Sequence, residues 1–110
     1  MARTLFPHER LDAWHLACRA YKLALEYTAT LPAGLHREVQ QINSAAGSVV
    51  RNTCEGAGRW RPAEKVHKFE IAVAEGCEAG GAVQAQLAVG NGDSELGEAF
   101  LQLESRAARP

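Results

Sequence analysis

The stretch Gln41-Ile42-Asn43-Ser44-Ala45-Ala46-Gly47-Ser48-Val49-Val50-Arg51-Asn52-Thr53-Cys54-Glu55-Gly56 decides the fold of this chain. Val39, Ile42, Ala46, Val49 and Thr53 recur at steps of three and four, which lays one apolar stripe down a helix from about Leu35 to Glu55. Asn52 and Glu55 stand about one turn apart, so an amide and a carboxylate share a face. Gly56-Ala57-Gly58 follows, and because glycine accepts the left-handed conformation that caps helix ends, the helix is expected to close there.

The same rhythm continues upstream. Leu11, Trp14, Cys18, Tyr21, Leu25 and Thr28 form the seam of a first helix, which Leu31-Pro32-Ala33-Gly34 ends. Leu16, Ala20, Leu23, Tyr27 and Leu31 cover another face of that helix. A four-helix bundle buries one such face, so Leu16, Leu23 and Tyr27 are candidates for a subunit interface.

Downstream, Trp60-Arg61-Pro62 leads into a third helix, with Pro62 suited to the first helical position and Glu64 favourable to the dipole in the first turn. Its seam runs through Val66, Phe69, Val73, Gly76, Gly80, Val83 and Leu87. Each seam glycine costs roughly 0.5 to 1 kcal/mol against alanine, so another backbone approaches closely here or the helix bends. Gly90-Asn91-Gly92-Asp93 is a turn, with Asp93 or Ser94 as N-cap of a shorter last helix reaching about Ala108, whose Leu96, Phe100 and Leu103 share a face. No strand alternation and no internal repeat appears. The expected fold is all-α, an up-down-up-down four-helix bundle with short loops, a single domain over residues 1–110.

Composition bounds what such a domain can do. At 110 residues, 46% of them apolar but only 6% aromatic, the core is thin and oligomerisation would relieve it. Cys18, Cys54 and Cys77 are odd in number and lack a C-x-x-C pair, which argues against a disulfide framework and a zinc site and for buried thiols in a reducing cytoplasm. No leader pattern and no apolar run of membrane-spanning length is present, so a cytoplasmic protein without membrane association is expected. Net charge is −1 but unevenly placed. Residues 51–68 carry Arg51, Arg59, Arg61, Lys65 and Lys68 against Glu55 and Glu64, a local +3, whereas residues 69–105 carry a local −7 with no Lys or Arg.

The opening stretch resembles the Q-I-x-x-A-A-x-S-I-P-x-N-I-A-E-G signature of the 23S rRNA intervening-sequence proteins. Gln41, Ile42, Ala45, Ala46, Ser48, Asn52, Glu55 and Gly56 keep it in register, and Arg59 falls at the family's G-x-x-R arginine. The first helix has the family's L-x-x-W as Leu11 and Trp14 and its Pro end as Leu31-Pro32, while Glu64, Ile71-Ala72 and Glu78 fit the third. Departures are Asn43-Ser44 in place of a basic pair, Val50 in place of a kinking proline, Ala74-Glu75 in place of a G-S pair, and Ala79 in place of a leucine. The resemblance implies a homopentamer of four-helix bundles around a central channel. It also implies likeness to the accessory variability determinant of diversity-generating retroelements, which is basic and binds nucleic acid and a reverse transcriptase. Loss of the basic pair weakens that implication for the second helix.

Three constellations are candidate sites. Asn52, Glu55, Arg59 and Glu78 fit an interhelical polar network, because a buried carboxylate must be paired; a ligand or ion site in an oligomer's channel is the alternative. Arg59, Trp60, Arg61, Lys65 and Lys68 combine cations with one stacking aromatic, the pairing that RNA or single-stranded DNA favours. Glu64-x-x-His67 has half the spacing of a di-iron bundle motif, but no second E-x-x-H exists, so it reads as a helix surface and no metal is expected. Neither Cys54 nor Cys77 has a histidine neighbour in sequence to activate it. Without phosphate loop, triad or metal cluster the reading is a non-enzymatic, cofactor-free, ring-forming bundle that serves a nucleic-acid process as accessory or scaffold. The rivals are a protein–protein adaptor and a small-ligand or ion-binding ring.

Overall fold

The computed structural model describes residues 3–107. Four helices account for most of them: α1 Asp12–Thr28, α2 His36–Gly58, α3 Pro62–Ala88 and α4 Ser94–Ala107, preceded by a 3₁₀ turn over Pro7–Arg10. No strand occurs among the described residues. The expected end of the last helix at Ala108 lies outside them.

Register follows from a few side chains. Asn43 donates its amide to Thr28 Oγ1 at 3.0 Å, and a Cβ on Gly47 would sit 3.3 Å from the Tyr21 ring, so α1 and α2 run antiparallel. Glu55 pairs with Lys68 at one end and Gln41 reaches Glu78 farther back along α2, which sets α3 antiparallel to α2. Gly97 faces Leu87 and Gly80 faces Leu101, and the same Gly97 meets Tyr27, so α4 packs against both α3 and α1. Successive helices are neighbours and α4 returns to α1, an all-α bundle with short connections.

Small residues let these helices approach. The core is Ala20, Ala24, Tyr27, Ile42, Ala45, Ala46, Ala79, Val83 and Phe100, with a second cluster of Ala17, Val49 and Ala72 toward the other end. Helix α2 does close within Gly56-Ala57-Gly58, ending at Gly58, but neither glycine takes the left-handed conformation expected of a cap. The reason for glycine at position 56 is packing: a Cβ would stand 2.6 Å from the Phe69 ring. Conversely Gly80, expected to mark a close approach, would place its Cβ 3.8 Å from Leu101, and Gly81 opens onto free space.

The first helix spends most of its two apolar faces inside the subunit. Tyr27, offered as an interface residue, is fully buried and donates its hydroxyl to the Asn91 carbonyl at 2.7 Å. The turn closes over its ring because Gly92 adopts φ 81° and any Cβ there would stand 2.7 Å from it. Leu23 packs on the same core and Leu16 is half-buried, whereas Leu25, assigned to the seam, is 45% exposed. Thus Tyr27 is a core residue and the surplus apolar face is largely spent on α4. The seam of α3 likewise shifts inward to Ala72, Gly76, Ala79 and Val83, leaving Val66 more than half exposed.

Lengths differ in a way that shapes the surface. Helices α2 and α3 have 23 and 27 residues, α1 and α4 only 17 and 14. With Gly80 opposite Leu101 and Ala107 packed on the Ala72 cluster, the described part of α4 reaches that level. The C-terminal end of α2 and the first turns of α3 continue past the level of Ala107 as a hairpin, with the 3₁₀ turn against it through His8 and Cys54 and Arg59-Trp60-Arg61 at the tip.

Candidate functional site

At the tip, the chain leaves α2 at Arg59 in an extended conformation and enters α3 at Pro62. Proline fits that first position because it has no N–H to donate and a preset φ. The three residues between are all exposed; Trp60 keeps 80% of its surface and the Arg61 guanidinium lies 5.2 Å above its ring. Arg59, with Lys68, Ala63 and the exposed Glu64 and His67, borders a shallow groove beside the tip.

Two of the five cations and aromatics assigned to a nucleic-acid surface are committed to the fold instead. Lys65 Nζ donates to the Ala57 carbonyl at 3.0 Å and approaches that of Gly56 at 3.4 Å, satisfying free carbonyls at the end of α2 and complementing its dipole. Lys68 Nζ lies 2.8 Å from Glu55 Oε2. The available surface is therefore Arg59, Trp60 and Arg61.

The expected polar network does not form as one unit. Asn52 donates to the Ser48 carbonyl and hydroxyl within α2, both at 2.9 Å. Glu55 is exposed, and its carboxyl is held below the ordinary range by Lys68, with smaller help from Arg59 and Arg51. Glu78 is exposed on α3 and receives a long 3.5 Å bond from Gln41. These are three separate local contacts because Glu78 lies several turns along α3 from Lys68. The interhelical hydrogen bond of the α1–α2 pair falls instead to Asn43.

Two further placements are not visible as motifs. His8 Nδ1 comes within 3.3 Å of Cys54 Sγ, across a separation of 46 residues, and stacks at a tilt on Trp14 with centroids 4.7 Å apart. Burial pushes the neighbouring Cys18 thiol up, and Cys54 adds to that. Glu104 is the second. It continues the inward stripe of Gly97 and Phe100 on α4, is 2% exposed, and among the described residues neither carboxylate oxygen has a hydrogen-bond partner. Burial raises its pKa to about 7. The signal for it was present: a carboxylate four residues after Phe100, where an apolar residue was due.

Among the described residues no group of three or more His, Cys, Asp and Glu is placed to hold a metal, and no helix is long and apolar enough to cross a membrane. No known protein family's profile matches the chain, and a search of characterised proteins returns no relative.

Proposed function

We propose that this protein is a non-enzymatic accessory bundle that contacts single-stranded nucleic acid through the tip of the α2–α3 hairpin. The observation that carries the reading is Trp60, left 80% exposed at the hairpin tip with Arg61 above its ring and Arg59 beside it. An aromatic of that size stays in water at a cost, and its pairing with guanidinium groups suits stacking on a base while the cations meet phosphate. The resemblance to 23S rRNA intervening-sequence proteins supports the same reading. It adds a homopentamer, in which five such tips would line one rim, a nucleic-acid enzyme such as a reverse transcriptase as partner, and a cytoplasmic setting.

With three residues per subunit, affinity should be weak, tolerant of sequence and strongly salt-dependent. Fluorescence anisotropy with labelled single-stranded RNA and DNA, run from about 50 to 200 mM salt, tests it. Combining Arg59→Glu, Trp60→Ala and Arg61→Glu should abolish binding and leave the helical content unchanged, since none of the three packs inside the bundle. Binding that survives the triple variant places the nucleic acid elsewhere. Absence of wild-type binding at low salt favours an adaptor whose acidic half, residues 69–105, meets a basic protein.

A further inference from the structure

Glu104 interrupts the core. Phe100, one turn before it on the inward stripe of α4, belongs to the main cluster with Ala20, Ala46 and Ala79, while Ala107, one turn after it, packs on the second cluster of Ala17, Val49 and Ala72. The carboxyl therefore stands at the break between the two clusters, 2% exposed and with neither oxygen hydrogen-bonded among the described residues. Gly76 of α3, which borders the same α3–α4 groove, has no side chain to donate a hydrogen bond. Charged groups on α1 and α3, the helices packed against α4, do not compensate it either. Among the described residues His15, Arg19 and Lys22 on α1, Glu78 on α3, and Glu98 and Arg106 on α4 are exposed; Glu75 and Cys18 are half-buried, and Cys77 is an exposed thiol. Burial alone raises the Glu104 pKa, with no neighbouring charge contributing.

An ionised carboxylate in such a place has no donors, so ionisation favours any arrangement that brings water to it. The turns of α4 beyond Phe100 supply that arrangement at least cost. Phe100 itself is fully buried and Gly97 is pressed between Leu87 and Tyr27, whereas beyond them the partly buried Leu101, Leu103 and Ala107 are what hold the helix down. On the α3 side these turns border a groove of about 570 Å³ rather than a filled helix face. We propose that these turns, residues 101–107, are a proton-gated latch that rests on α1 and α3 while Glu104 is protonated and lifts into solvent when it ionises. The direction follows from linkage. The carboxyl titrates near 4.5 in water and at about 7 when closed in, so protons hold the latch shut and alkali opens it. From about pH 5.5 to about pH 8.5 the ratio of open to closed rises roughly thirtyfold. The latch uses none of the residues of the hairpin tip, so it stands or falls apart from the nucleic-acid reading.

Amide hydrogen exchange of the full chain, expressed as protection factors so that the pH dependence of the chemical step is removed, tests the latch. The amides of residues 102–107 should be less protected than those of Ala46 and Val49 on α2, and should lose protection roughly thirtyfold over that pH range. Glu104→Gln, which carries no titrating proton, should abolish this pH dependence. Glu104→Leu, apolar like its surroundings, should do the same and hold the turns more firmly than wild type at the alkaline end. Protection of residues 102–107 that does not change with pH, or that changes equally in both variants, would overturn the latch. Protection equal to that of Ala46 and Val49 throughout would overturn it too, because Glu104 would then ionise only when the whole bundle unfolds.

Discussion

Glu104 is the residue whose chemistry departs most from its surroundings, and its protonation leaves a measurable trace on stability. Its folded pKa of about 7 lies above the ordinary 4.5, so between these values the folded state binds more protons than the unfolded one. The stability this group contributes is therefore complete below about pH 4.5 and is lost as pH rises through about 7. The loss is on the order of 3 kcal/mol. Glu75, raised by burial and then by Glu78, adds to the same slope, whereas Glu55, lowered by Lys68, acts on the acid side, where protonation removes its ion pair. Urea unfolding of wild type against Glu104→Gln separates the terms: the variant should lack most of the decline between pH 5 and 8 and be the more stable protein at pH 8. A wild-type curve parallel to that of the variant would mean that Glu104 is partnered in solution.

At the scale of elements, close contact between small residues sets the spacing of the helices. Gly56→Ala drives a methyl to 2.6 Å from the Phe69 ring, so α2 and α3 must part or Phe69 must leave its rotamer. The expected cost is about 1 to 3 kcal/mol, read as a lower urea midpoint. Gly81→Ala, with nothing within 4 Å, should instead gain the few tenths to 1 kcal/mol of helix propensity. That contrast also explains what could be read from the sequence. Helix positions, Pro62 at the start of α3 and Asp93 as a cap, whose Oδ1 accepts the Leu96 N–H at 3.0 Å, follow from local rules and were legible. Which glycine is pressed and which is free depends on the partner helix, and single-chain periodicity carries no such information. The polar residues failed for the same reason: Asn52 and Glu55 do share a face of α2, but register against α3 brings Lys68, not Glu78, to that face.

For the molecule as a whole, what α1 leaves exposed decides how copies could assemble. Helix α1 was expected to spare an apolar face for other subunits, yet α2 and α4 flank it and Tyr27 lies inside. The pentamer proposed from the family resemblance must then use what remains in solvent, such as the half-buried Leu16, the exposed Leu25 and the hairpin with Val66. This makes two substitutions on one helix behave differently. Tyr27→Ala removes a fully buried ring and its hydrogen bond to Asn91, so it should cost roughly 3 to 5 kcal/mol and unfold much of the chain. Leu16→Glu should leave circular dichroism nearly unchanged and lower the sedimenting mass from five subunits to one. If wild type already sediments as a monomer at micromolar concentration, the ring is removed, and the hairpin tip must bind nucleic acid with three residues rather than with a five-fold rim. The salt slope is the discriminating quantity, because it counts the phosphates neutralised together and so separates a single tip from several tips engaging one strand.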